Sequence, residues 1–447
     1  MKTIIIGGSH GGIQTALTLK KVKPKDTVIV YERNDFISFI ASGINLYLKG
    51  AVKKLADAQL FKEKEVAKAG VDLKKRHEIT AVDFAEKRVE VKNLATNQVS
   101  WESYDSLVLA MGSTQKSVEL SEESDGDFVK TYKSFAESQT LLAEIEAAES
   151  ITIVGTGYIG VELACTFCQI GKGHKINLIE SGSSILNRYY EEKLVASVET
   201  VFKENNVKLL LNDTVFSVAP LANGKKLVKT TKTELESDLI IYAINGRPNT
   251  GLLEGQMITL PDHTIKVNEY METSVPDVYA VGDLVAYPVT NVRGRMYTPL
   301  VNETVRTANV AAMKIAGMPV KYQANQRTTF TKVCGRYLGS IGMTVKQADF
   351  EGRDYKTFLY ETKDGNGELL QLFLVFDEVS YVVLGAQVTG SENLNGVIDY
   401  LSLVINRQVT VEELVTMDCA FHPEINLPYH FINEAALRCM QKQLRRR

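Results

Sequence analysis

Two glycine-rich turns carry most of the chemistry that this sequence can do. "TIIIGGSHGG" presents Gly7, Ser9 and Gly12 after an apolar run, and "ITIVGTGYIG" presents Gly155, Gly157 and Gly160 in the same setting. Such turns let a backbone fold tightly and approach a pyrophosphate at the start of a helix. In each case an acidic residue, Glu32 or Glu180, closes the next apolar run 25 residues after the first glycine. A carboxylate there can accept from ribose hydroxyls. One such motif is weak evidence, but two with equal spacing predict two dinucleotides in one chain. Ser9 at a glycine position is a small departure, because serine still permits close approach. Glu180 would repel a 2′-phosphate, so NADH rather than NADPH is expected at the second turn, with Lys172, Lys175 and Arg188 nearby as counterweights.

Two other residues could move protons or electrons. His10 places an imidazole inside the first turn, where its ordinary pKa suits proton transfer near neutral pH; the bland alternative is a hydrogen bond to a carbonyl or phosphate. Ser42, in "ISFIASGINLYLKG", opens a short helix. It could be a nucleophile, a phosphate contact, a helix cap or the replacement for a more reactive side chain. Cys165 and Cys168 form a C-x-x-C two turns into a predicted helix, not at the helix start that activates a redox pair, so they read as packing cysteines. Cys334, Cys419 and Cys439 are far apart and lack metal-ligand spacing, and no metal site is expected.

The elements that must position these groups follow from the whole chain. Its 447 residues predict two or three domains, and 51 basic against 54 acidic side chains give no electrostatic case for nucleic acid or a membrane surface. The basic tail "QKQLRRR" reads as a solvated helix end. "ITIVGTGYIGVELACTFCQIG" is apolar enough to suggest a membrane span, but its glycine spacing and Glu162 predict a buried strand, turn and helix. Five cysteines without a disulfide pattern, and no signal segment in "MKTIII", make a cytoplasmic location the expectation.

"YDSLVLAMGS" with Gly112, "TSVPDVYAVGD" ending at Asp283, and "SDLIIYAINGRPNT" resemble FAD-dependent pyridine nucleotide-disulfide oxidoreductases over the whole chain. "GGSHGG", "YERNDFISF", "GINLYL", "GYIGVE" and "FHPEINLPYHFINEAA" narrow the likeness to NADH oxidases, NADH peroxidases and coenzyme A disulfide reductases. The resemblance implies an α/β fold with two Rossmann-like domains and a C-terminal α+β dimerisation domain. FAD would occupy residues 1–112 and 245–320, NADH residues 113–244, and dimer contacts residues 321–447. Asp283 would hold the flavin ribityl chain, and Gly7, Ser9, Gly12, Glu32 and Gly112 the rest of the FAD. Tyr158 would gate the nicotinamide pocket, with packing in the first helical turn as its plain alternative, and Glu162 would lie by the nicotinamide or flavin. Asn245, where the family has glycine, implies an altered turn. His422, Tyr429 and His430 could reach a partner's active site or simply pack.

In that branch a redox cysteine stands where this chain has Ser42. A hydroxyl forms neither a stable sulfenate nor a disulfide, so disulfide reduction and thiol peroxidase chemistry lose their central atom, whether the serine is a natural variant or an engineered replacement. The expected activity is an FAD-dependent NADH oxidase, acting as a homodimer on O2 or another small electron acceptor, with His10 as proton donor and peroxide released. A disabled relative of the thiol enzymes is the runner-up, and a non-catalytic flavoprotein that senses NADH or binds a partner is the alternative of another class.

Overall fold

The structure is a computed structural model that describes residues 1–115, 128–244, 246–424 and 426–444. Asn245, with its expected altered turn, and residues 445–447 of the basic tail lie outside the described residues.

Strand β1 (Lys2–Ile6) leads into helix α1 (His10–Val22) and strand β2 (Thr27–Glu32). These join a five-stranded parallel sheet with Asp72–Lys75 beyond β2 and, on the other side of β1, Ser106–Leu109 and Val278–Ala280. The near-continuous apolar runs of β1 and β2 fit a parallel sheet covered on both faces. The short helix α2 (Gly43–Leu48) follows β2, as "GINLYL" predicts.

A second parallel sheet repeats the plan. Strand β3 (Ser150–Val154), helix α3 (Tyr158–Ile170) and strand β4 (Lys175–Glu180) are joined by Val207–Leu211, Leu239–Tyr242 and Val129–Lys130. All five residues of β3 are buried, so the apolar run is a core strand and helix. No helix among the described residues is long and apolar enough to cross a membrane. The chain then returns to the first sheet through Val278–Ala280, and helix α4 (Val301–Ile315) packs on α1, where Gln14 and Thr18 each hydrogen-bond Asn309 at 2.8 Å.

The C-terminal part is a five-stranded antiparallel sheet ordered β5 (Thr329–Val333), β6 (Arg336–Gly342), Val383–Gly390, Leu369–Asp377 and Tyr355–Lys363. Asn395–Asn406 and Phe431–Leu444 are its longer helices. "KTFLYET", "LLQLFLVFD" and "VVLGAQVTG" are apolar-rich runs of strand length and form three of these strands, whereas β5 alternates buried and exposed residues with threonine at two of its three buried positions, so its sequence shows no apolar pattern.

Both glycine turns are sterically compulsory at the same step. A Cβ on Gly12 would stand 1.8 Å from the Gly7 carbonyl oxygen, and one on Gly160 would stand 2.0 Å from that of Gly155. Gly12→Ala and Gly160→Ala are each expected to cost about 2 kcal/mol or more in urea unfolding. Gly157→Ala, whose added Cβ meets nothing within 4 Å, is expected to cost under about 1 kcal/mol.

Candidate functional site

One cavity of about 1520 Å³ opens at the first glycine turn and extends to the helix that follows the second. It starts at Glu32 and runs past Gly7, Ser9, His10 and Gly112 to Asp283, then reaches Ser42, Tyr158 and Glu162. Gly12 lies beneath its turn, and Gly155, Gly157, Gly160 and Glu180 surround the β3–α3 turn outside this cavity. His10 and Tyr158 hold equivalent places, each the first residue of the helix after its turn, so two copies of one local design aim a side chain into a shared space.

The two acids also play matching parts. Glu32 is 7% exposed and accepts the Gly8 N–H at 2.7 Å, while its other oxygen accepts from the backbone and side chain of Asn34, both at 2.7 Å. Glu180 accepts the Thr156 N–H at 3.0 Å and its hydroxyl at 2.6 Å, and Gly182, Ser181 and Asn187 donate to its other oxygen. Burial raises the Glu180 pKa, but these hydrogen bonds outweigh it and hold the carboxyl below its usual range. It is charged at neutral pH. Lys172, Lys175 and Arg188 are exposed and are not among its donors.

Asp283 accepts from the Ser113 hydroxyl at 2.8 Å and from the Lys133 ammonium at 2.9 Å. Lys133 had no sequence signal: it precedes the helix Phe135–Ala147, and only folding brings its ammonium against Asp283. His10 Nδ1 lies 3.2 Å from the Ser9 hydroxyl, and Nε2 is buried with no protein partner. Burial lowers the His10 pKa, with Asp283 raising and Lys133 lowering it. An imidazole with its pKa lowered in this way is neutral near pH 7 and can accept or relay a proton.

Ser42 occupies the cap position of α2, yet its side chain makes no capping hydrogen bond. The helix start is held instead by the Ser42 carbonyl, which accepts from Asn45 and Leu46. The expected cap is thus backbone only, and Ser42 lines the cavity. Tyr158 is tied down more than a free gate would be: its hydroxyl bonds Tyr190 at 2.9 Å and donates to Thr329, and its ring lies 4.9 Å from that of Tyr189. Glu162 accepts from the Thr331 hydroxyl at 2.6 Å, and burial pushes its carboxyl up despite that bond and the nearby Lys49. Thr329 and Thr331 come from β5, which the sequence reading missed.

These residues fit a flavin dinucleotide. The cavity exceeds the volume of drug-sized sites, Gly7 at φ +107° leaves no room for a side chain, and Glu32 keeps acceptor capacity for hydroxyls. His422, Tyr429 and His430 do not line the cavity of their own chain, and Tyr429 is 42% exposed.

The family model described as pyridine nucleotide-disulphide oxidoreductase matches residues 1–314, and the dimerisation domain of the same family matches residues 327–428. An NADH oxidase of Enterococcus faecalis is 30% identical over 98% of this chain and 100% of its own length. One from Lactococcus lactis is 29% identical over 98% of this chain and 99% of its own. The solved water-forming NADH oxidase of Lactobacillus brevis, bound to NADH, superposes with a TM-score of 0.93 at 30% identity, covering 99% of this chain and 98% of that one.

Because the folded chain resists protonating His10, the unfolded chain binds more protons below the ordinary histidine pKa, and stability falls as pH drops through about 6.5. His10→Gln removes that penalty. Its urea midpoint is expected to gain on the wild type between about pH 7 and pH 5.

Proposed function

This chain belongs to the pyridine nucleotide-disulphide oxidoreductase family, and from that premise we propose that it is an FAD-dependent NADH oxidase that reduces oxygen and releases hydrogen peroxide. The reading includes a cytoplasmic homodimer with FAD on residues 1–112 and 245–320, NADH on 113–244 and dimer contacts on 321–447. One observation carries the choice of product: a serine, not a cysteine, shares the cavity with His10, Tyr158 and Glu162.

FAD held by these residues would supply the redox chemistry that links NADH oxidation to oxygen reduction. The chain's own residues set the conditions. Gly7, Ser9, Gly12 and Gly112 allow the backbone to approach FAD, Glu32 accepts from its ribose, and Asp283, steadied by Ser113 and Lys133, accepts from the ribityl hydroxyls. Gly155, Gly157 and Gly160 do the same for NADH, with Glu180 charged against a 2′-phosphate. Tyr158 covers the nicotinamide place and must leave Tyr190 and Thr329 for NADH to enter. Glu162, its carboxyl raised by burial, can present a proton or a hydrogen bond to the carboxamide. His10 relays protons through Nε2. The Ser42 hydroxyl supplies no thiolate at neutral pH, so this position offers no reductant to carry peroxide on to water.

The Lactobacillus brevis relative is described as water-forming, which makes water the second reading. Among the described residues no cysteine lines the cavity, and this favours peroxide.

Oxygen uptake and peroxide recorded together are expected to give about one peroxide per NADH, with turnover within the usual enzyme range. Water as the sole product overturns the peroxide reading, and turnover below about one per minute with oxygen, quinones and dyes points to a non-catalytic flavoprotein. Ser42→Cys is expected to cut the peroxide yield by about half or more, because a thiolate there can consume it. Glu180→Ala is expected to narrow the preference for NADH over NADPH in kcat/KM by about tenfold.

A further inference from the structure

The hairpin between β5 and β6 turns on two residues, Cys334 at φ 50° and Gly335 at φ 80°. Positive φ at both central positions defines the tight hairpin turn that asparagine-glycine or aspartate-glycine serves best, and cysteine there is an uncommon choice with a conformational cost. Such a position prompts the question of what the side chain does. The Cys334 backbone N–H donates to the Cys165 sulfur at 2.9 Å, which sets the Cys334 thiol beside that sulfur as a further donor. Cys165 is fully buried on α3, while Cys334 and Cys168 are half-buried against the same core. The sequence separation of Cys334 from the C-x-x-C hid this convergence. Among the described residues no three His, Cys, Asp or Glu side chains form a metal-sized group, so the cluster is a thiol site rather than a metal site.

We propose that Cys165 and Cys334 are a peroxide-reactive thiol pair whose disulfide staples the β5–β6 hairpin to α3 and so restrains Tyr158. The protonation states suit the chemistry. Donation from the Cys334 thiol and backbone, with help from Lys49, outweighs burial and brings Cys165 down to about 7, whereas Cys334 is pushed up by the same hydrogen bond and by burial, and Cys168 by burial to about 11. One member of the pair is a nucleophile near neutral pH and the other a thiol in reserve.

The Cys165 thiolate attacks one oxygen of hydrogen peroxide. The O–O bond breaks, a sulfenic acid forms on Cys165, and the departing hydroxide takes up a proton as water. Cys334 sulfur then attacks Cys165 sulfur, the S–S bond forms, and the sulfenic hydroxyl leaves with the Cys334 proton as a second water. Two thiols have lost two electrons, and one peroxide has become two waters.

Strand β5 connects this pair to the cavity. Thr329 holds the Tyr158 hydroxyl, and Thr331 holds Glu162 at 2.6 Å. With the end of β5 locked to α3, Thr329 is less free to release Tyr158, and NADH reaches its place more slowly. That consequence rests on the proposed role of Tyr158, whereas the disulfide does not.

The test uses the purified yellow enzyme, reduced, desalted and exposed to about a fivefold excess of hydrogen peroxide. Thiol titration and non-reducing peptide mapping are expected to show about two of the five thiols lost and one Cys165–Cys334 cross-link, both reversed by dithiothreitol. All thiols intact, a Cys165–Cys168 link, or scattered irreversible oxidation overturns the pair. Cys334→Asn, which suits the turn better than cysteine, is expected to fold, bind flavin and form no cross-link. Anaerobic flavin reduction by NADH is expected to slow by about threefold or more in the cross-linked wild type, to recover with dithiothreitol, and to ignore peroxide in Cys334→Asn. A cross-link without slowing overturns the restraint on Tyr158. Failure of NADH to reduce the flavin in the thiol form overturns the oxidase reading instead, and the mapped cross-link still decides the pair.

Discussion

The contact between the last and first glycines of each turn is the constraint on which the molecule rests. Gly12 lies against the Gly7 carbonyl and Gly160 against that of Gly155, with no space for one carbon more. This closeness sets where α1 and α3 begin, and with it the direction of the amides and side chains in their first turns. His10 and Tyr158 hold the same position in the two copies of this design, and both line one cavity. Glu32 and Glu180 complete each copy by accepting the N–H just after the first glycine, which ties the second strand to the turn.

Within this frame, hydrogen bonds rather than residue type set the charge. Glu180 and Glu162 are both partly buried glutamates on the second Rossmann-like unit. Two backbone N–H groups and three side chains stabilise the anion of Glu180, whereas Glu162 has the Thr331 hydroxyl and a nearby lysine against a larger desolvation cost. One is held ionised and the other is pushed toward the neutral form. His10 follows the same logic: burial outweighs Asp283, and the imidazole stays neutral.

The β5–β6 hairpin gives the C-terminal sheet a part in the cavity. Its two threonines hold Tyr158 and Glu162, and its turn sets Cys334 on Cys165. Contacts of this kind join residues more than 160 positions apart in sequence, as Thr331–Glu162 and Cys334–Cys165 do. They leave no local pattern, since a threonine in a short strand and a cysteine in a turn look like ordinary structural residues.

The sequence by itself determined the two Rossmann-like units, their glycines and acids, the helix behind Ser42 and the family. These are readable because periodicity, glycine and strand-end acids act over a few residues, where local sterics leave one solution. Tertiary structure decided what long-range packing controls: the ion pair of Lys133 with Asp283, the neutral state of His10, the backbone-only cap at Ser42, the clasp on Tyr158 and the meeting of Cys165 with Cys334. Each depends on which group lies opposite once the chain is folded, and on how much water is left to it. Burial and partner identity, unlike turn geometry, belong to the assembled core and not to any short stretch of residues.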